Sequence, residues 1–237
     1  MNPYRRLDPD QVIATIDRLR RRIEERFPTA SLARVAAELL QVAKEHAARV
    51  RKIGGASPLL RFFMFSVVVA GGAIAWWMWT TVASGRVDWR ATNGSDLVQG
   101  IDAALGILLF VLAALALLFS LEIRVKRRRA LHAIHELRSI AHIVDMHQLA
   151  KDPERVIRQG PNTASSPELA LSPFQLGRYL DYCSELLALT AKISALYAER
   201  FDDPQAVAAV DDIEDLTNGL SRKIWQKIMV LDQLVKK

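Results

Sequence analysis

Two long apolar blocks without a single charge constrain this chain more than any other feature. They are "FFMFSVVVAGGAIAWWMWTTVA" at residues 62–83 and "AALGILLFVLAALALLFSL" at 103–121. As α-helices they would extend about 33 and 28 Å, which matches a bilayer hydrocarbon core of roughly 30 Å. Buried helices of soluble domains rarely stay uncharged over such a length. We therefore expect transmembrane spans at about 59–82 and 98–121, joined by an extracytoplasmic loop at 83–97.

The overall composition agrees with this division of the chain. Hydrophobic residues make up 51% of the 237 residues, which is high for a chain that also has 24% charged residues. The two values are compatible because many of the apolar residues are concentrated in the two blocks. Some sixty mostly polar residues precede the first block, which argues against a cleaved signal peptide. The single cysteine, Cys183, is typical of a reducing compartment and leaves no pair for a disulfide within the chain.

Lysine and arginine are concentrated on the outer flanks of the two blocks. Residues 1–57 contain twelve and residues 122–151 contain seven, whereas the connector 83–96 contains two. Cytoplasmic flanks carry the excess of cations, so we expect a multi-pass protein of the inner (plasma) membrane with both termini in the cytoplasm. Tryptophans that could form an aromatic belt cluster at the loop side, at Trp76, Trp77, Trp79 and Trp89.

Five cations within six residues follow the second block. We call them the basic collar: Arg124, Lys126, Arg127, Arg128 and Arg129. Because successive helical residues lie about 100° apart, the collar occupies well over half of the helix circumference and cannot all face one protein partner. We expect the collar, together with Arg61 beside the first span, to contact anionic lipid headgroups. No nucleic-acid-binding motif accompanies the basic charge, so nucleic acid is not an expected partner.

Every other segment of the chain is also predicted to be helical. The expected fold is all-α, a two-pass transmembrane helical hairpin with a cytoplasmic helical bundle. We divide the chain into N-terminal cytoplasmic helices at 1–57, the transmembrane hairpin at 58–121, a basic juxtamembrane stalk helix and loop at 122–172, and a long C-terminal helical hairpin at 173–237.

Local signals place the helices of the expected bundle. Asp8-Pro9, Ser172-Pro173 and Asp203-Pro204 each combine an N-cap residue with a proline at the first helical position. Only two residues separate the last two helices, which should therefore fold back antiparallel. Their apolar stripes predict which positions face inward. In the first of the two helices these are Leu176, Leu180, Cys183, Leu187, Thr190, Ser194, Tyr197 and Phe201, and in the second they are Val207, Val210, Ile213, Leu216, Leu220, Ile224, Ile228 and Leu231.

An acidic group in the last helix lacks the glycine and the ligand alternation of a calcium loop. Its members are Asp211, Asp212, Glu214 and Asp215. Folding the hairpin near residue 202 would bring Lys192 to Asp211 and Asp212, and Asp181 to Arg222 and Lys223. We therefore expect interhelical ion pairs.

Four histidines fall within sixteen residues, at positions 132, 135, 142 and 147. On one helix, His135, Arg138, His142 and Asp145 share a side, which we call the histidine face. Zinc sites on a helix usually use two histidines four residues apart, whereas these gaps are three, seven and five, and Arg138 would repel a cation. The favoured interpretation is a polar face packed on other helices, with metal binding and pH sensing as alternatives.

Motifs for covalent catalysis, nucleotide-phosphate binding and paired-cysteine chemistry are absent from the sequence. We therefore expect no enzymatic activity and no cofactor. The favoured function is that of an inner-membrane scaffold or signalling protein whose cytoplasmic helices self-associate or bind a protein partner. The alternative is an oligomeric channel or pore-forming effector, although the two blocks offer few polar side chains to line a conducting path.

The cation distribution makes a testable prediction about topology. Two reporter enzymes are fused after residue 237, one active only in the cytoplasm and one active only in the periplasm. The cytoplasmic reporter alone should be active, because both cation-rich flanks stay on the cytoplasmic side. Activity of a periplasm-specific reporter at the same position would contradict this orientation.

Overall fold

The computed structural model describes residues 6–53, 55, 58–84, 94–153 and 171–236. Within these ranges the chain is helical and contains no strand, which confirms the predicted all-α class. The helices are α1 (Pro9–Arg26), α2 (Ser31–Ile53), α3 (Pro58–Ala83), α4 (Gly94–Leu149), α5 (Pro173–Arg200) and α6 (Pro204–Val235). Most of the loop predicted before residue 173 and most of the loop predicted at 83–97 lie outside the described residues.

Three of these helices begin where the N-cap and proline signals predict. Asp8 accepts a hydrogen bond from the backbone N–H of Asp10 at 2.9 Å. Ser172 and Gln175 form a reciprocal capping box at the start of α5. Each cap satisfies N–H groups that have no partner inside the first helical turn, so the start of the helix is stabilised locally.

The described residues divide into two compact units. The bundle unit lies within residues 1–54 and 127–237, and the apolar unit lies within residues 55–126. The N-terminal helices, the later part of α4 and the C-terminal helices therefore share one unit, although residues 55–126 separate the first from the others in sequence.

A single hydrophobic core holds the bundle unit together. All five helices that enter it contribute. The positions predicted from periodicity in α5 and α6 are buried, except that Phe201, Val207, Leu216 and Ile228 are half-buried. Among its fully buried large side chains are Ile16, Leu39, Leu137, Leu187 and Tyr197. Burying an aliphatic side chain of this size stabilises the fold by about 1.5–3 kcal/mol relative to leaving it exposed.

Helices α5 and α6 pack along one another within this unit. Near the start of α5, a Cβ atom at Gly177 would lie 3.6 Å from Leu231 Cδ2, near the end of α6. At the other end, Phe201 and Asp203 lie in the short break between the two helices. The first turn of α5 thus lies beside the last turns of α6.

The expected ion pairs between α5 and α6 are wrong. Asp181 pairs with Arg178 on its own helix at 3.0 Å. The acidic group at 211–215 is exposed, and none of its members makes an ion pair with another described residue. Apolar packing holds the two helices together, and these carboxylates remain in solvent.

The apolar unit has the opposite surface character. Large hydrophobic side chains of α3 and of the first part of α4 are exposed, including Phe65, Trp76, Leu109 and Phe110. Two helices here are long and apolar enough to cross a membrane, with candidate segments at Arg61–Thr81 and Val98–Leu149. Small residues permit close packing inside this unit, since a Cβ atom at Gly71 would lie 3.4 Å from Val111 Cγ2.

One helix, α4, runs without a break from the second apolar block through the basic collar and into the bundle core. It spans 56 residues from Gly94 to Leu149, as the absence of Pro and Gly between 107 and 152 predicts. Its buried positions in the bundle unit include Ala133, Leu137, Ala141 and Val144, which recur at helical spacing.

The side chain of Asp203, in the break between α5 and α6, caps α6 and also pairs with Arg127. Its Oδ1 accepts from the backbone N–H groups of Gln205 and Ala206, both at 3.1 Å, and its Oδ2 accepts from Arg127 at 2.7 Å. Burial would raise the pKa of this carboxyl group, but Arg127 and the two amides outweigh burial and lower it. The Asp203 side chain is only 4% exposed, so its charge depends on these partners.

We predict that Asp203→Ala lowers the free energy of unfolding by about 2 kcal/mol, because the variant loses both the cap and the partner of Arg127. Asp203→Asn should cost about half as much, since its side-chain oxygen can still cap α6. Thermal unfolding of the full chain in detergent, followed by circular dichroism, measures both. Equal losses would show that the cap contributes nothing.

Candidate functional site

The structure assigns different surroundings to the five cations of the basic collar. Arg127 pairs with Asp203, and Lys126 pairs with Glu122 at 2.9 Å. Arg124, Arg128 and Arg129 are exposed and make no ion pair with a described residue. The headgroup contact predicted for the collar and Arg61 stays a prediction, and these three arginines are the collar members whose charge no carboxylate offsets.

The histidine face lies on the surface of the bundle unit. His135, Arg138 and His142 are exposed, and Asp145 is half-buried and accepts a hydrogen bond from Gln148 at 2.6 Å. The interpretation of a face packed on other helices is therefore wrong. The opposite side of α4 packs instead, and Leu137, Ala141 and Val144 are buried there.

The remaining two histidines of α4 do not complete a metal site. His132 is exposed, and Nδ1 of the half-buried His147 lies 2.8 Å from the backbone carbonyl oxygen of Ile143, on its own helix. Within the described residues no group of three or more His, Cys, Asp or Glu side chains is arranged to hold a metal ion. The described histidines of α4 therefore do not form a shared metal site.

A polar centre shared by three helices surrounds the fifth histidine, His46, which sequence reasoning missed. His46 is completely buried on α2. Its position continues the inward stripe of Leu39 and Ala43 toward Val50, at spacings of three and four residues. The stripe could have identified His46 from the sequence, because a polar side chain at a buried position of a helix needs a hydrogen-bond partner from another helix.

Two other helices supply partners for His46, and Arg49 of its own helix completes the group. The Tyr197 hydroxyl of α5 lies 3.1 Å from His46 Nδ1, and Glu136 Oε2 of α4 lies 3.2 Å from His46 Nε2. Arg49 of α2 donates to the same Glu136 oxygen at 2.7 Å and to Glu45 at 3.0 Å. We call His46, Arg49, Glu136 and Tyr197 the His46 network.

The donors and acceptors in the network favour one tautomer of His46. Ionised Glu136 can only accept and lies closer to Nε2, at 3.2 Å, than the donor Arg49 Nη1, at 3.4 Å, which favours a proton on Nε2 of the neutral imidazole. Nδ1 is then an acceptor and receives the hydrogen bond from the Tyr197 hydroxyl. Every polar atom of the imidazole is satisfied in this arrangement, which removes most of the cost of burying it.

The electrostatics of the network favour this neutral imidazole. Burial lowers the pKa of His46 below its ordinary 6.5, although Glu136 acts in the opposite direction. Burial alone would raise the pKa of Glu136, but hydrogen bonds from Arg49 and His46 outweigh it and lower that pKa. Burial also raises the pKa of Tyr197 above its ordinary 10. The network therefore holds one pair of opposite charges, Arg49 and Glu136, beside two neutral side chains.

A relay of tyrosine, histidine and carboxylate could in principle move a proton, but its reactive end is closed. Tyr197 and His46 are both fully buried, and only Glu136 and Arg49 reach solvent. A substrate would have to contact the Tyr197 hydroxyl or an imidazole nitrogen, and general acid–base catalysis needs that contact within about 3 Å. The geometry therefore favours a structural connection between α2, α4 and α5.

A second polar contact fastens the far end of α4. Lys227 of α6 donates to the backbone oxygen of Gln148 at 2.8 Å, and burial lowers the pKa of this lysine. Nearby Cys183 is fully buried, which raises the pKa of its thiol to about 12. Because the thiolate is the reactive form, Cys183 is a core side chain rather than a nucleophile.

Comparisons of the chain with protein-family models, with curated proteins and with solved structures find no match in any of the three. The functional argument therefore rests on the residues and contacts of this chain.

The depressed pKa of His46 predicts a specific dependence of stability on pH. The unfolded chain takes up a proton near pH 6.5 and the folded chain only at lower pH, so stability should decrease as the pH falls below about 6.5. His46→Gln should remove this part of the slope and also cost about 1–3 kcal/mol by disturbing the Tyr197 hydrogen bond. Thermal unfolding of the detergent-solubilised chain between pH 5 and 8 measures both effects.

The matched control is His142→Gln, which removes an exposed histidine on α4. This variant should unfold with the same pH profile as the original chain. If its profile flattens as much as that of His46→Gln, the pH dependence does not arise from the buried imidazole.

Proposed function

We propose that this protein is a two-span inner-membrane protein whose helical bundle is cytoplasmic and acts without catalysis, by self-association or by binding a protein partner. The observation that carries the proposal is the composition of α4 along its length. The same helix has exposed apolar side chains such as Leu109 and Phe110 in its first part and buried ones such as Leu137 and Val144 in its last part. A helix of this kind connects a lipid-exposed anchor to a water-soluble bundle.

The surroundings of the apolar side chains support the membrane assignment. Those of α3 and the first part of α4 are exposed, as lipid contact requires, whereas those of the bundle unit form a closed core. In this proposal α3 and α4 form the transmembrane hairpin, α5 and α6 form the antiparallel C-terminal hairpin, and Arg61, Arg124, Arg128 and Arg129 face anionic headgroups.

A binding function for the bundle is supported by apolar side chains that its core does not use. Trp225 and Met229 are 58% and 54% exposed and lie four residues apart, on one side of α6. Tryptophan and methionine are enriched at protein interfaces, where a large ring or a flexible thioether contributes much buried area. The closed surroundings of His46 and Tyr197 also favour binding over catalysis.

We predict that the detergent-solubilised chain forms a complex larger than a monomer and that Trp225→Ser with Met229→Ser dissociates it. Loss of two central apolar contacts should weaken association at least tenfold. Light scattering coupled to size-exclusion chromatography measures the mass, and circular dichroism checks that the helices persist.

The matched control changes two exposed apolar residues of α4, Met146→Ser with Leu149→Ser. This pair should leave the mass unchanged. If only the control variant dissociates, the interface between copies lies on α4 and not on α6. If the original chain is already a monomer, the bundle does not self-associate and its proposed partner is a different protein. A closed ring of five or more copies that conducts ions in liposomes would instead favour the pore-forming alternative.

A further inference from the structure

An open groove lies in the bundle unit where α1 ends and α5 begins. Its volume is about 490 Å³, and its lining residues define what we call the arginine groove: Arg22, Glu25, Arg26, Arg178 and Tyr182. Small-molecule sites commonly have volumes of roughly 300–1,000 Å³. Three guanidinium groups therefore line an opening large enough for a small ligand.

Aromatic rings hold these guanidinium groups in place. The Cζ atoms of Arg22 and Arg178 lie 5.3 and 5.5 Å from the centre of the Tyr182 ring, and Arg26 Cζ lies 5.6 Å from the centre of the Phe174 ring. A guanidinium that already lies over a ring loses less side-chain freedom when it binds a ligand. The groove is therefore preorganised before any ligand arrives.

Hydrogen-bond donors remain available in the groove. Arg22 and Arg178 each use one Nη1 atom on a carboxylate, Glu185 at 3.1 Å and Asp181 at 3.0 Å. Each guanidinium carries five N–H donors, so most of them are free. Arg26 makes no ion pair with a described residue. The side chain of Tyr182 is almost fully buried, and its hydroxyl makes no hydrogen bond within the described part of the chain.

The charges define the class of ligand. The lining residues comprise three cations and one anion, Glu25, and Arg26 is the cation that no carboxylate offsets. Guanidinium groups bind phosphate oxygens through paired, charge-assisted hydrogen bonds. Converging donors from α1 and α5 suit a phosphate, which offers several charged oxygens, better than a carboxylate, which offers two.

We propose that the arginine groove binds the phosphate of a soluble phosphorylated small molecule of about mononucleotide size. Phe174, which is 67% exposed beside Arg26, gives the planar organic part of such a ligand a surface on which to stack. This site is separate from the exposed apolar residues of α6 and goes beyond the function proposed above.

The position of the groove favours a soluble phosphate over a lipid headgroup. The groove lies at the start of α5, near Tyr179, whose ring centre is 5.3 Å from Lys151 Nζ. The other end of α5 leads to Asp203, which pairs with Arg127. Between Arg127 and Leu149, α4 rises about 33 Å, so the groove is remote from Arg127. The preference for a soluble phosphate over a lipid headgroup rests on the proposed membrane function, whereas the anion site itself does not.

The test measures binding of inorganic phosphate and of adenosine monophosphate to the full chain in detergent by isothermal titration calorimetry. We expect one site for each probe and tighter binding of the nucleotide. Arg26→Gln and Arg178→Gln should each weaken binding about tenfold or more. Glu25→Gln should strengthen binding several-fold, because it removes the one anion from the lining.

The matched control is Arg18→Gln, an exposed arginine of α1 outside the groove. Its affinity should stay within about twofold of the original, since solvent and salt screen a distant surface charge. Circular dichroism confirms the fold of each variant, and Arg26, which makes no ion pair with a described residue, is the position where substitution disturbs the fold least. An equal loss in Arg18→Gln, or no binding of either probe at millimolar concentration, would overturn the site.

A second arm distinguishes the two sources of phosphate. The full chain is placed in phosphatidylcholine nanodiscs with or without phosphatidic acid, and adenosine monophosphate binding is measured in both. We expect equal affinity, and competition by phosphatidic acid would overturn the assignment to a soluble ligand. Failure of the topology prediction would leave the micelle measurements unaffected, so the two proposals can fail separately.

Discussion

The continuity of α4 is the constraint on which the rest of the structure depends. A helix satisfies its backbone hydrogen bonds internally, so the same backbone is stable whether lipid, water or protein surrounds it. Only the side chains have to change with the surroundings. They change at the basic collar, where exposed apolar residues give way to a stripe that includes Leu137 and Val144. Any shift of α4 along its axis would place charges where apolar contacts are needed.

Polar contacts specify how α4 lies in the bundle. Apolar packing stabilises helices but tolerates alternative arrangements of similar volume. Three residues of α4 restrict these alternatives, since Arg127 pairs with Asp203, Glu136 with the His46 network, and Gln148 with Lys227. Along the helix they are about 14 and 18 Å apart. Each involves a different part of the bundle, so a slip of one turn would leave buried polar groups without partners.

Helix starts and inward-facing sides could be predicted from the sequence, because both depend on residues that are close together in the chain. Asp8-Pro9, Ser172-Pro173 and Asp203-Pro204 start helices at those positions, and apolar periodicity identified the inward sides of α5 and α6. The same periodicity in α4 should have placed the histidine face outside. His135 and His142 lie on the side opposite Leu137, and a helix against one core buries only one side.

Contacts between distant segments could not be predicted in the same way. His46 and Glu136 are 90 residues apart, and Arg22 and Arg178 of the arginine groove are 156 apart. Nothing in either local pattern identifies the partner helix. The expected pairing of Asp181 with Arg222 failed for a different reason, because a nearer cation, Arg178, lies one turn away on the same helix. Residues three apart on one helix are already neighbours, whereas a pair between two helices also depends on how the helices align.

The bundle core itself requires few of the chain's cations. Arg127 and Arg49 each hold a carboxylate at a contact between helices, and these contacts stabilise the bundle. Arg26, Arg128 and Arg129 make no ion pair with a described residue, and a solvated guanidinium costs nothing in folding. Their charge is therefore free to interact with anions. Because Arg26 and Arg128 lie toward opposite ends of the bundle unit, one fold can present positive charge to two different anionic ligands without competition between them.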